Sequence, residues 1–574
     1  MDKNEIAKTL NEIADILEIQ EENPFRIRAY RNAVRTLENL SLNLDKLVKE
    51  EKLTELDGIG KDLAEKISLL SKNKQVKEFS DLKKSIPKGM LEMLEVSGLG
   101  AKKIKVLYKE LKITSKKELE KACKQGKIAK LKGFGKKTED NILNSLGHIE
   151  AYSQKHLWFS AMQIAHPILE DLRALKEVLK ADIAGSLRRK KETVGDIDFV
   201  ASSTSPKEIM SWFTSQSFVE KISVKGDTKS SVRLKGGFQA DLRIVPPEQY
   251  GFVLHHSTGS KQHNIRLRQI AKDRDWKLSE WGLEKGSKPV ITKKEPSEED
   301  LYQAFNMQFI PPELREDTGE IEIAQKKKLP NLITGEDLQG TFHVHTNASD
   351  GKNSLEEMIE AAEDYRWKYI GISDHSKSST QANGLDEKRL LDQVTQIKKI
   401  NASNKYKIHV FSGIECDILT DGSLDFEDSI LKQLDFVIVS IHRAFKQDRA
   451  TTTKRLIKAI ENPYTTMVGH LTGRLLLKRE SYALDVEKVI DAAIANKKII
   501  EINGQPQRLD IDWRHLKQAK ERGLLTSINP DAHSIDGLKY VLTGINIARK
   551  GWLEKEDVFN TLDLNKIKGR LKKA

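Results

Sequence analysis

The stretch TFHVHT at residues 341–346 decides the C-terminal part of the fold. Six further short apolar runs follow it, separated by segments of helical length: YIGISDH (369–375), KIHVFSGIE (407–415), FVIVSIH (436–442), TMVGHL (466–471), KIIEIN (498–503) and LTSINPDAH (525–533). Strands that alternate with helices form parallel sheets, because a parallel connection needs a crossover. Residues 339–574 are therefore predicted to form a seven-stranded parallel α/β barrel.

Histidines and carboxylates stand at the ends of these runs. His343 and His345 are two apart, so on a strand both side chains point into one space. The carboxyl ends of barrel strands meet at one rim. We expect nine side chains to converge there: His343, His345, Asp350, His375, Glu415, His442, His470, Asp531 and His533. A single histidine is more often structural, but nine ligands at strand ends indicate more than one metal ion. Imidazole and carboxylate without thiolate suit Zn²⁺, Mn²⁺ or Fe, and Glu415 is the natural bridging carboxylate.

Residues 1–150 show helical spacing and repeat one unit: LDGIGKDLAEKI (56–67), VSGLGAKKIKVL (96–107) and LKGFGKKTEDNIL (131–143). Gly-x-Gly lets a backbone turn tightly, and the following helix N-terminus makes an anion site suited to a DNA phosphate. The glycines concerned are Gly58, Gly60, Gly98, Gly100, Gly133 and Gly135. One copy could be an ordinary turn between helices, and a dinucleotide site would need a preceding strand. Three copies with lysines resemble helix-hairpin-helix motifs, which implies DNA binding.

A second group of carboxylates lies in the middle of the chain. In GSLRRKKETVGDIDF (185–199), Asp196 and Asp198 are two apart on a predicted strand, and Asp241 lies on a later one, FQADLRIV. A solvated surface strand would explain Asp-x-Asp alone. Together with the upstream Gly185-Ser186 turn and the phosphate-binding forks of Arg188 and Arg189, the carboxylates favour a Mg²⁺ site shared with substrate phosphates.

Residues 1 to about 325 resemble a family X DNA polymerase, the DNA polymerase beta-like group of nucleotidyltransferases. The resemblance implies that Asp196, Asp198 and Asp241 hold two metal ions, Mg²⁺ or Mn²⁺, with Asp241 near the primer 3′-hydroxyl. It also implies nucleotide contacts by further residues: the triphosphate by Ser186 and Arg189, the nucleotide by Gly259 and Asn264 in STGSKQHNIRLR, and the template side by Arg268. Glu280 in LSEWG would help to set the closed state.

Two departures from that family matter. His256-Ser257 stands where the animal enzymes have Tyr-Phe, which puts ribose discrimination in doubt. Lys66 matches the Schiff-base lysine of the deoxyribose-phosphate lyase and Tyr30 a neighbour, but Arg26 and Asp62 replace lysines. A Schiff base needs an uncharged amine, so Lys66 is a catalytic candidate that could equally be a surface residue.

The C-terminal part, from about residue 335, resembles a PHP domain, the polymerase-and-histidinol-phosphatase barrel. The resemblance implies three ions, each with its own ligand group: His343, His345, Glu415 and Asp531; Glu415, His375 and His442; and Asp350, His470 and His533. A metal-activated water would attack a phosphodiester. Lys377, Arg443 and Arg474 are candidates for contacts with the nucleic-acid backbone, although each could be an ordinary surface charge.

Composition limits the remaining possibilities. The 574 residues carry a net charge of +12, which favours a polyanionic partner. The two cysteines, Cys123 and Cys416, exclude a disulfide framework and indicate the reducing cytoplasm. No apolar run is long enough to span a membrane, so we expect no membrane partner.

Fused polymerase and PHP parts resemble bacterial-type family X DNA polymerases over the whole length. The leading hypothesis is a monomeric polymerase with a 3′-5′ exonuclease, whose partners are gapped or primer-template DNA, single-stranded 3′ ends and deoxynucleoside triphosphates. Gap filling in base excision repair is its predicted role. The alternatives are a phosphatase or abasic-site endonuclease barrel, and a DNA-binding scaffold with degenerate sites. Six segments are predicted: 1–85 lyase-like, 86–150 fingers-like, 151–250 palm, 251–322 thumb-like, 323–338 linker and 339–574 PHP.

Overall fold

The computed structural model describes residues 3–39, 44–56, 58–72, 74, 76–96, 99–147 and 155–571. The chain forms two compact units, Met1–Gln154 with Leu234–Gln239 and Lys155–Arg233 with Ala240–Ala574. The finer segment boundaries proposed from the sequence stay predictions. In the described ranges, no helix is long and apolar enough to cross a membrane.

The regular secondary structure that the structure describes in residues 3–147 is all helical, as the sequence predicted. Ile6, Leu10, Ile13 and Leu17 recur every three or four residues and are buried, which gives the first helix its apolar face. The α-helices are Lys3–Ile19, Pro24–Asn39, Leu44–Lys49, Lys61–Ser71, Lys77–Lys84, Lys88–Glu92, Ala101–Leu111, Lys116–Lys124 and Lys136–Gly147.

The central part of the chain is built on a five-stranded sheet with the order β2-β4-β7-β6-β5. Its strands are β2 Lys180–Ile183, β4 Asp196–Ser202, β5 Val219–Val224, β6 Lys229–Leu234 and β7 Gln239–Val245, and β1 His156–Leu157 pairs with β3 Thr193–Val194. At the start of β4, buried Ile197 and Phe199 alternate with the half-buried Asp196 and Asp198. The sheet core therefore fixes which face carries the carboxylates.

A smaller layer follows, with β8 Trp276–Leu278, β9 Leu283–Lys285 and β10 Lys288–Pro289 in an antiparallel sheet. The α-helices of the central and smaller layers are Trp158–Arg173, Gly185–Arg188, Pro206–Ser215, Tyr250–Thr258, Lys261–Lys272, Glu298–Ala304 and Glu320–Gln325. Trp552, near the C-terminus, packs into the apolar cluster of this layer with Phe305 and Leu314. The barrel and this layer therefore share core.

The C-terminal barrel has seven parallel strands in sequential order, as predicted. They are β11 Gly340–Val344, β12 Tyr369–Ile372, β13 His409–Asp417, β14 Phe436–Ser440, β15 Met467–Val468, β16 Ile499–Asn503 and β17 Thr526–Asn529. Its α-helices are Leu355–Asp364, Glu387–Ser403, Asp428–Leu431, Arg449–Glu461, Val486–Ala495, Trp513–Glu521, Val541–Lys550 and Leu564–Leu571. The sheet closes between its first and last strands, because the N–H of His345 donates to the Ala532 carbonyl at 2.8 Å.

The predicted linker is packed against the barrel. Ile333 is completely buried in the main barrel core, and its N–H donates to the Leu553 carbonyl at 3.0 Å. Leu332 forms a β-bridge with Glu554. Residues 323–338 therefore join the smaller layer to the barrel as packed structure. The polar residues and glycines of this segment did not predict that its apolar side chains would be buried.

Candidate active sites and DNA-contacting turns

The nine predicted metal ligands of the barrel converge at one rim. Every one of them belongs to a group whose nitrogen and oxygen atoms lie within 4.8 Å of one another. The groups are His343, His345 and Glu415; His343, His470 and Asp531; His375, Glu415 and His442; and His345, Asp350, His375 and His533. The barrel thus offers several overlapping metal positions.

The grouping differs from the predicted one in its third set. His375, Glu415 and His442 lie together as expected. Asp350 and His533 lie with His345 and His375, however, whereas the Nε2 of His470 is 2.9 Å from the Oε1 of Glu415. The strand order alone did not predict this contact between the residues that follow β15 and those of β13.

The convergence of His343 and His345 has a different cause from simple alternation. His343 adopts a left-handed backbone with φ of +42°, and the register of β11 with β12 shifts between Thr341 and Val344. The two histidine rings still face each other at 5.2 Å. An irregular strand end, which the two-residue spacing did not predict, therefore aims both rings into the site.

Glu415 is the centre of the histidine-rich site. Its carboxylate lies 2.9 Å from His375 Nδ1, 3.3 Å from His442 Nε2, 3.4 Å from His343 Nε2 and 3.7 Å from His345 Nε2. Burial opposes its ionisation, but His442, His343 and His375 together hold the pKa of Glu415 well below its ordinary value. It is therefore ionised, which the predicted role of a bridging carboxylate requires.

The donor set fits metal ions. Within the described chain, both ring nitrogens of buried His345, Nε2 of His343 and Oε2 of Glu415 lack a partner with hydrogen-bond geometry. Unpaired buried polar atoms are costly and call for an explanation. Burial, with His533 and His375 nearby, lowers the pKa of His345 to about 3, so this imidazole is neutral, as a metal ligand must be.

Buried carboxylates behind the ligands orient them. The Nδ1 of His343 lies 2.6 Å from Glu501 and that of His442 lies 2.5 Å from Asp417. These contacts make Nδ1 the donor and leave Nε2 for a metal. Arg508 lies 3.2 Å from Asp531. Sequence reasoning missed Glu501 and Asp417, although the acid inside the apolar run KIIEIN was a signal for Glu501.

The three basic residues proposed near this site differ in their surroundings. Arg443 is exposed. Lys377 pairs with Glu387 at 2.5 Å. Arg474 is held inside the protein by Asp512 at 2.8 Å and by backbone carbonyls, so its donors serve internal structure.

The three carboxylates of the central sheet lie on neighbouring strands. Asp196 and Asp198 are on β4, and Asp241 is on the adjacent β7. Burial, followed by the charges of Asp196 and Asp241, raises the pKa of Asp198 to about 7. Burial and Asp241 also raise the pKa of Asp196. Oxygen ligands that repel one another are what a divalent cation neutralises, so the donor types suit Mg²⁺, although the three carboxylates are not among the groups of described residues whose ligand atoms all lie within 4.8 Å.

Gly185 packs directly against this site. It has φ of +63°, and a Cβ at this position would lie 2.0 Å from the Oδ2 of Asp198. The N–H of Ala184 donates to the carbonyl of Asp198 at 2.8 Å. Only glycine therefore brings the turn before Ser186 this close to the carboxylates.

The two arginines after that turn are anchored inside the protein. Arg188 pairs with Glu298 at 2.5 Å and donates to the Thr258 hydroxyl at 2.7 Å. Arg189 donates from Nε to Glu316 at 3.1 Å and from Nη1 to the Thr258 carbonyl. The Nη2 of Arg189 takes no part in either bond.

The predicted nucleotide-contacting residues lie around the same loop. Gly259 has φ of +72°, and a Cβ there would come within 3.1 Å of Arg189 Nη1. Asn264 donates to the His256 carbonyl at 2.8 Å, and Arg268 lies 3.1 Å from the His256 ring. The structure thus brings Arg189, Gly259, Asn264 and Arg268 together.

His256, part of one of the two departures from the family, lies among charged side chains. Its Nε2 is 3.7 Å from Glu280, and Glu280 accepts from Arg243 at 2.7 Å. Burial and Arg268 lower the pKa of His256, so the ring is neutral at pH 7. Glu280 therefore links Arg243, on the same strand as Asp241, to His256.

The described residues of the three glycine turns share one hydrogen bond. The residue between the glycines is buried, and its N–H donates to the carbonyl three residues earlier: Ile59 to Leu56 at 3.1 Å, Leu99 to Val96 at 3.0 Å and Phe134 to Leu131 at 3.0 Å. Gly58 and Gly133 have positive φ. Gly98 lies outside the described residues.

The second glycine of each turn has a different role. A Cβ at Gly60, Gly100 or Gly135 would have no heavy atom of the described chain within 4 Å. Packing inside the protein therefore does not require glycine there. Gly60 and Gly100 are also the N-caps of the following helices, where an external phosphate can approach the free backbone N–H groups.

Lys66 is enclosed by acidic partners. Its ammonium is 2.8 Å from Asp62, 2.7 Å from Glu78 and 3.2 Å from the Tyr30 hydroxyl. Burial opposes the charge, but these hydrogen bonds raise the pKa of Lys66 above its ordinary value. A Schiff base needs the neutral amine, so this environment disfavours the lyase role, and Asp62 is one of its causes.

Comparison with known proteins matches this architecture. Residues 1–74 match the helix-hairpin-helix domain family, 90–147 the SAM-like helix-hairpin-helix tandem, 253–316 the DNA polymerase beta thumb and 341–505 the PHP domain. The chain is 37% identical over 575 residues to the DNA polymerase/3′-5′ exonuclease PolX of Bacillus subtilis (strain 168), covering 100% of both chains.

Shorter similarities connect the chain to proteins named probable phosphatases. One from Caldicellulosiruptor bescii is 33% identical over 205 residues, 34% of this chain and 80% of the relative. One from Thermoanaerobacter sp. (strain X514) is 32% identical over 175 residues, 29% of this chain and 69% of the relative.

Fold and sites together define a nucleotidyltransferase joined to a metal-dependent PHP barrel. The full-length similarity makes the assignment specific. The chain belongs to the PolX family of bacterial family X DNA polymerases, and the resemblance drawn from the sequence is confirmed.

Proposed function

We propose that the chain is a DNA-directed DNA polymerase that fills short gaps in base excision repair and removes 3′-terminal nucleotides with its barrel. One observation carries the proposal: three mutually repelling aspartates and a buried histidine-rich group able to hold metal ions occur in a chain with three glycine turns suited to DNA phosphates. The name of the full-length Bacillus subtilis relative supports both activities.

In the polymerase site, Asp196, Asp198 and Asp241 would hold two Mg²⁺ ions, which Mn²⁺ can replace. Such ions neutralise charge that develops during phosphoryl transfer. Arg189, fixed by the Thr258 carbonyl, presents its remaining donors to the triphosphate of a deoxynucleoside triphosphate. Ser186 offers a hydroxyl beside it. Asp241 would be placed near the primer 3′-hydroxyl.

In the barrel, the nine ligands would hold three ions, which we assign to Mn²⁺, Zn²⁺ or Fe from the ligand types. When bound, such ions polarise a phosphodiester and lower the pKa of a water molecule. Glu501 and Asp417 orient the histidines, and exposed Arg443 offers a contact for the phosphate of a single-stranded 3′ end.

The test separates the two sites with two variants of the full chain. Asp198→Ala is expected to abolish primer extension on a gapped duplex and to keep the degradation of single-stranded DNA. His345→Ala is expected to do the reverse. Full exonuclease activity in His345→Ala, or extension by Asp198→Ala, would refute the assignment of the corresponding site.

A second candidate keeps the polymerase and makes the barrel a phosphatase or an abasic-site endonuclease. The similarity to proteins named probable phosphatases favours it. Turnover of a phosphomonoester, of an abasic-site duplex and of single-stranded DNA by one preparation separates these activities. The exonuclease assignment requires the single-stranded DNA to be the preferred substrate and His345→Ala to abolish its turnover.

We also propose that the enzyme acts in the cytoplasm as a monomer. Cys123 and Cys416 are both free and buried, as suits a reducing compartment. The nine ligands of the histidine-rich site come from one chain, so that site does not need a second copy to be complete.

A further inference from the structure

A charged loop of the polymerase part is connected to the barrel by ion pairs. Residues 189–192 read RKKE and connect the Gly185-Ser186 turn to Asp196. Their partners are Glu316 for Arg189 and Lys191, Glu313 for Lys190, and barrel residue Arg514 for Glu192. The barrel also supplies Arg549 to Glu313 at 2.5 Å and Lys550 to Glu316 at 2.7 Å.

Lys550 is the most enclosed member of this set. It ends the barrel helix Val541–Lys550, and its side chain has 0% exposure. Its ammonium donates to Glu316 Oε1 at 2.7 Å, to the Arg189 carbonyl at 3.0 Å and to the Glu313 carbonyl at 3.2 Å. An ammonium group has three hydrogens, so Lys550 uses its full hydrogen-bonding capacity on residues outside the barrel.

Glu316 transmits this contact to Arg189. The same oxygen, Oε1, accepts from Lys550 Nζ and, at 3.1 Å, from Arg189 Nε. The guanidinium of Arg189 is also held at Nη1 by the Thr258 carbonyl. Two fixed bonds define the plane of a guanidinium, so the direction of its remaining donors depends on where Glu316 stands.

We propose that Lys550 is a positioning residue of the polymerase site, by which the barrel orients Arg189 towards the incoming triphosphate. The inference rests on the proposed function only for the identity of the ligand, a deoxynucleoside triphosphate. The barrel is then part of the nucleotide-binding site as well as the holder of its own metal ligands.

The charges around Glu316 predict how the loss of Lys550 would change nucleotide binding. With Lys550 present, Glu316 is shared among three cations, Lys550, Lys191 and Arg189, and Arg189 keeps positive charge for a phosphate. Without Lys550, Glu316 would pair with Arg189 more strongly, so a triphosphate would have to compete for a neutralised arginine. Loss of Lys550 should therefore weaken nucleotide binding more than it slows the chemical step.

Titration of Lys550 gives a second signature. Burial, opposed mainly by Glu316, lowers its pKa to about 8, and Lys191 and Glu192 also face the ammonium. The ring of Trp513 lies 4.6 Å away. Above about pH 8 the ammonium loses its proton, so the wild-type KM for nucleotide should rise there while kcat changes less.

The experiment compares Lys550→Met with a matched control, Lys520→Met, in the full chain. Lys520 also makes three bonds, to Trp552, Glu554 and Asp557, but all of its partners belong to the barrel. KM and kcat for primer extension, binding of Mg-dNTP and single-stranded DNA degradation are measured from pH 7 to 9. Lys550→Met is expected to raise KM about tenfold, equivalent to about 1.4 kcal/mol, and to flatten its pH dependence.

The controls assign each outcome. Exonuclease activity should stay within about twofold in both variants, and Lys520→Met should keep the wild-type KM, since it does not touch residues 189–192. An unchanged KM in folded Lys550→Met, or the same increase in Lys520→Met, overturns the inference alone. If Lys550→Met does not fold, a wild-type KM that is constant from pH 7 to 9 overturns it. A wild-type chain that neither extends primers nor binds Mg-dNTP overturns the proposed function with it.

Discussion

Glu501→Gln tests whether the buried acid behind the histidine-rich site sets its metal affinity. Glu501 is completely buried, and each of its oxygens accepts two hydrogen bonds. Oε1 accepts from His343 Nδ1 at 2.6 Å and Asn529 Nδ2 at 3.0 Å, and Oε2 from the His470 N–H at 2.7 Å and Asn503 Nδ2 at 3.0 Å. All four neighbours are donors.

Glutamine fits the volume of Glu501 but not its hydrogen bonds. Whichever way its amide is turned, the NH₂ group faces two donors, so two hydrogen bonds are lost. The loss of charge also weakens the hold on the Nδ1–H of His343, whose Nε2 must face the metal. Removing such an orienting carboxylate typically costs about 10- to 100-fold in metal affinity or activity, and we expect a loss of that size in exonuclease activity.

The assay measures single-stranded DNA degradation as a function of Mn²⁺ concentration. We expect Glu501→Gln to shift the half-saturating Mn²⁺ concentration upward and to keep primer extension. Glu487→Gln is the matched control, because Glu487 makes the same kind of bond, 2.8 Å to His515 Nδ1, on the helix Val486–Ala495. Wild-type Mn²⁺ dependence and rate in Glu501→Gln would refute the orienting role.

Three further predictions concern the other sites. Gly185→Ala should reduce primer extension about 100-fold and leave the exonuclease unchanged, because a Cβ only 2.0 Å from Asp198 must displace the carboxylate. The kinetics of primer extension test this prediction, and a wild-type rate in the variant contradicts it. The affinity of the metal-free enzyme for Mg²⁺ should fall about tenfold from pH 8 to pH 6, since below its pKa of about 7 Asp198 binds a proton instead of the cation. Calorimetric titrations that give the same Mg²⁺ affinity at both pH values rule out this prediction. The double variant Gly60→Ala with Gly100→Ala should bind DNA more weakly and lose less than about 2 kcal/mol of stability, as neither Cβ meets another part of the described chain. Fluorescence anisotropy measures the DNA affinity and thermal unfolding measures the stability. A DNA affinity equal to that of the wild type contradicts the phosphate contact.

The sequence predicted the barrel and the convergence of nine histidine and carboxylate side chains at its rim, because the relevant sequence patterns are local. Apolar runs separated by helices require parallel strands, and parallel strands place their ends at one rim. Hence residues as distant as His343 and His533 could be assigned to one site. The alternation Asp196-Ile197-Asp198 likewise predicted one carboxylate face, because Ile197 is buried.

Contacts between distant segments could not be predicted in this way. Arg189 meets Glu316 across 127 positions and Lys550 meets the Arg189 carbonyl across 361. No sequence motif or residue spacing indicates either contact, since the packing of the barrel on the central layer sets both distances. The place of His470 beside Glu415, rather than beside Asp350, was likewise not predicted by the strand order.

The surroundings of the two sites shift the pKa values of their carboxylates in opposite directions, and this difference is consistent with their separate chemistry. In the barrel, histidines surround Glu415 and hold its pKa well below the ordinary value, so it is ionised without any substrate. In the central sheet, like charges raise the pKa of Asp198, so the site is completed only by cations that the nucleotide's phosphates help to hold. A site of the second kind depends on a precisely placed phosphate, hence on Arg189, and through Glu316 on Lys550 of the barrel. Removing the barrel would therefore be expected to weaken nucleotide binding as well as to remove the hydrolytic activity.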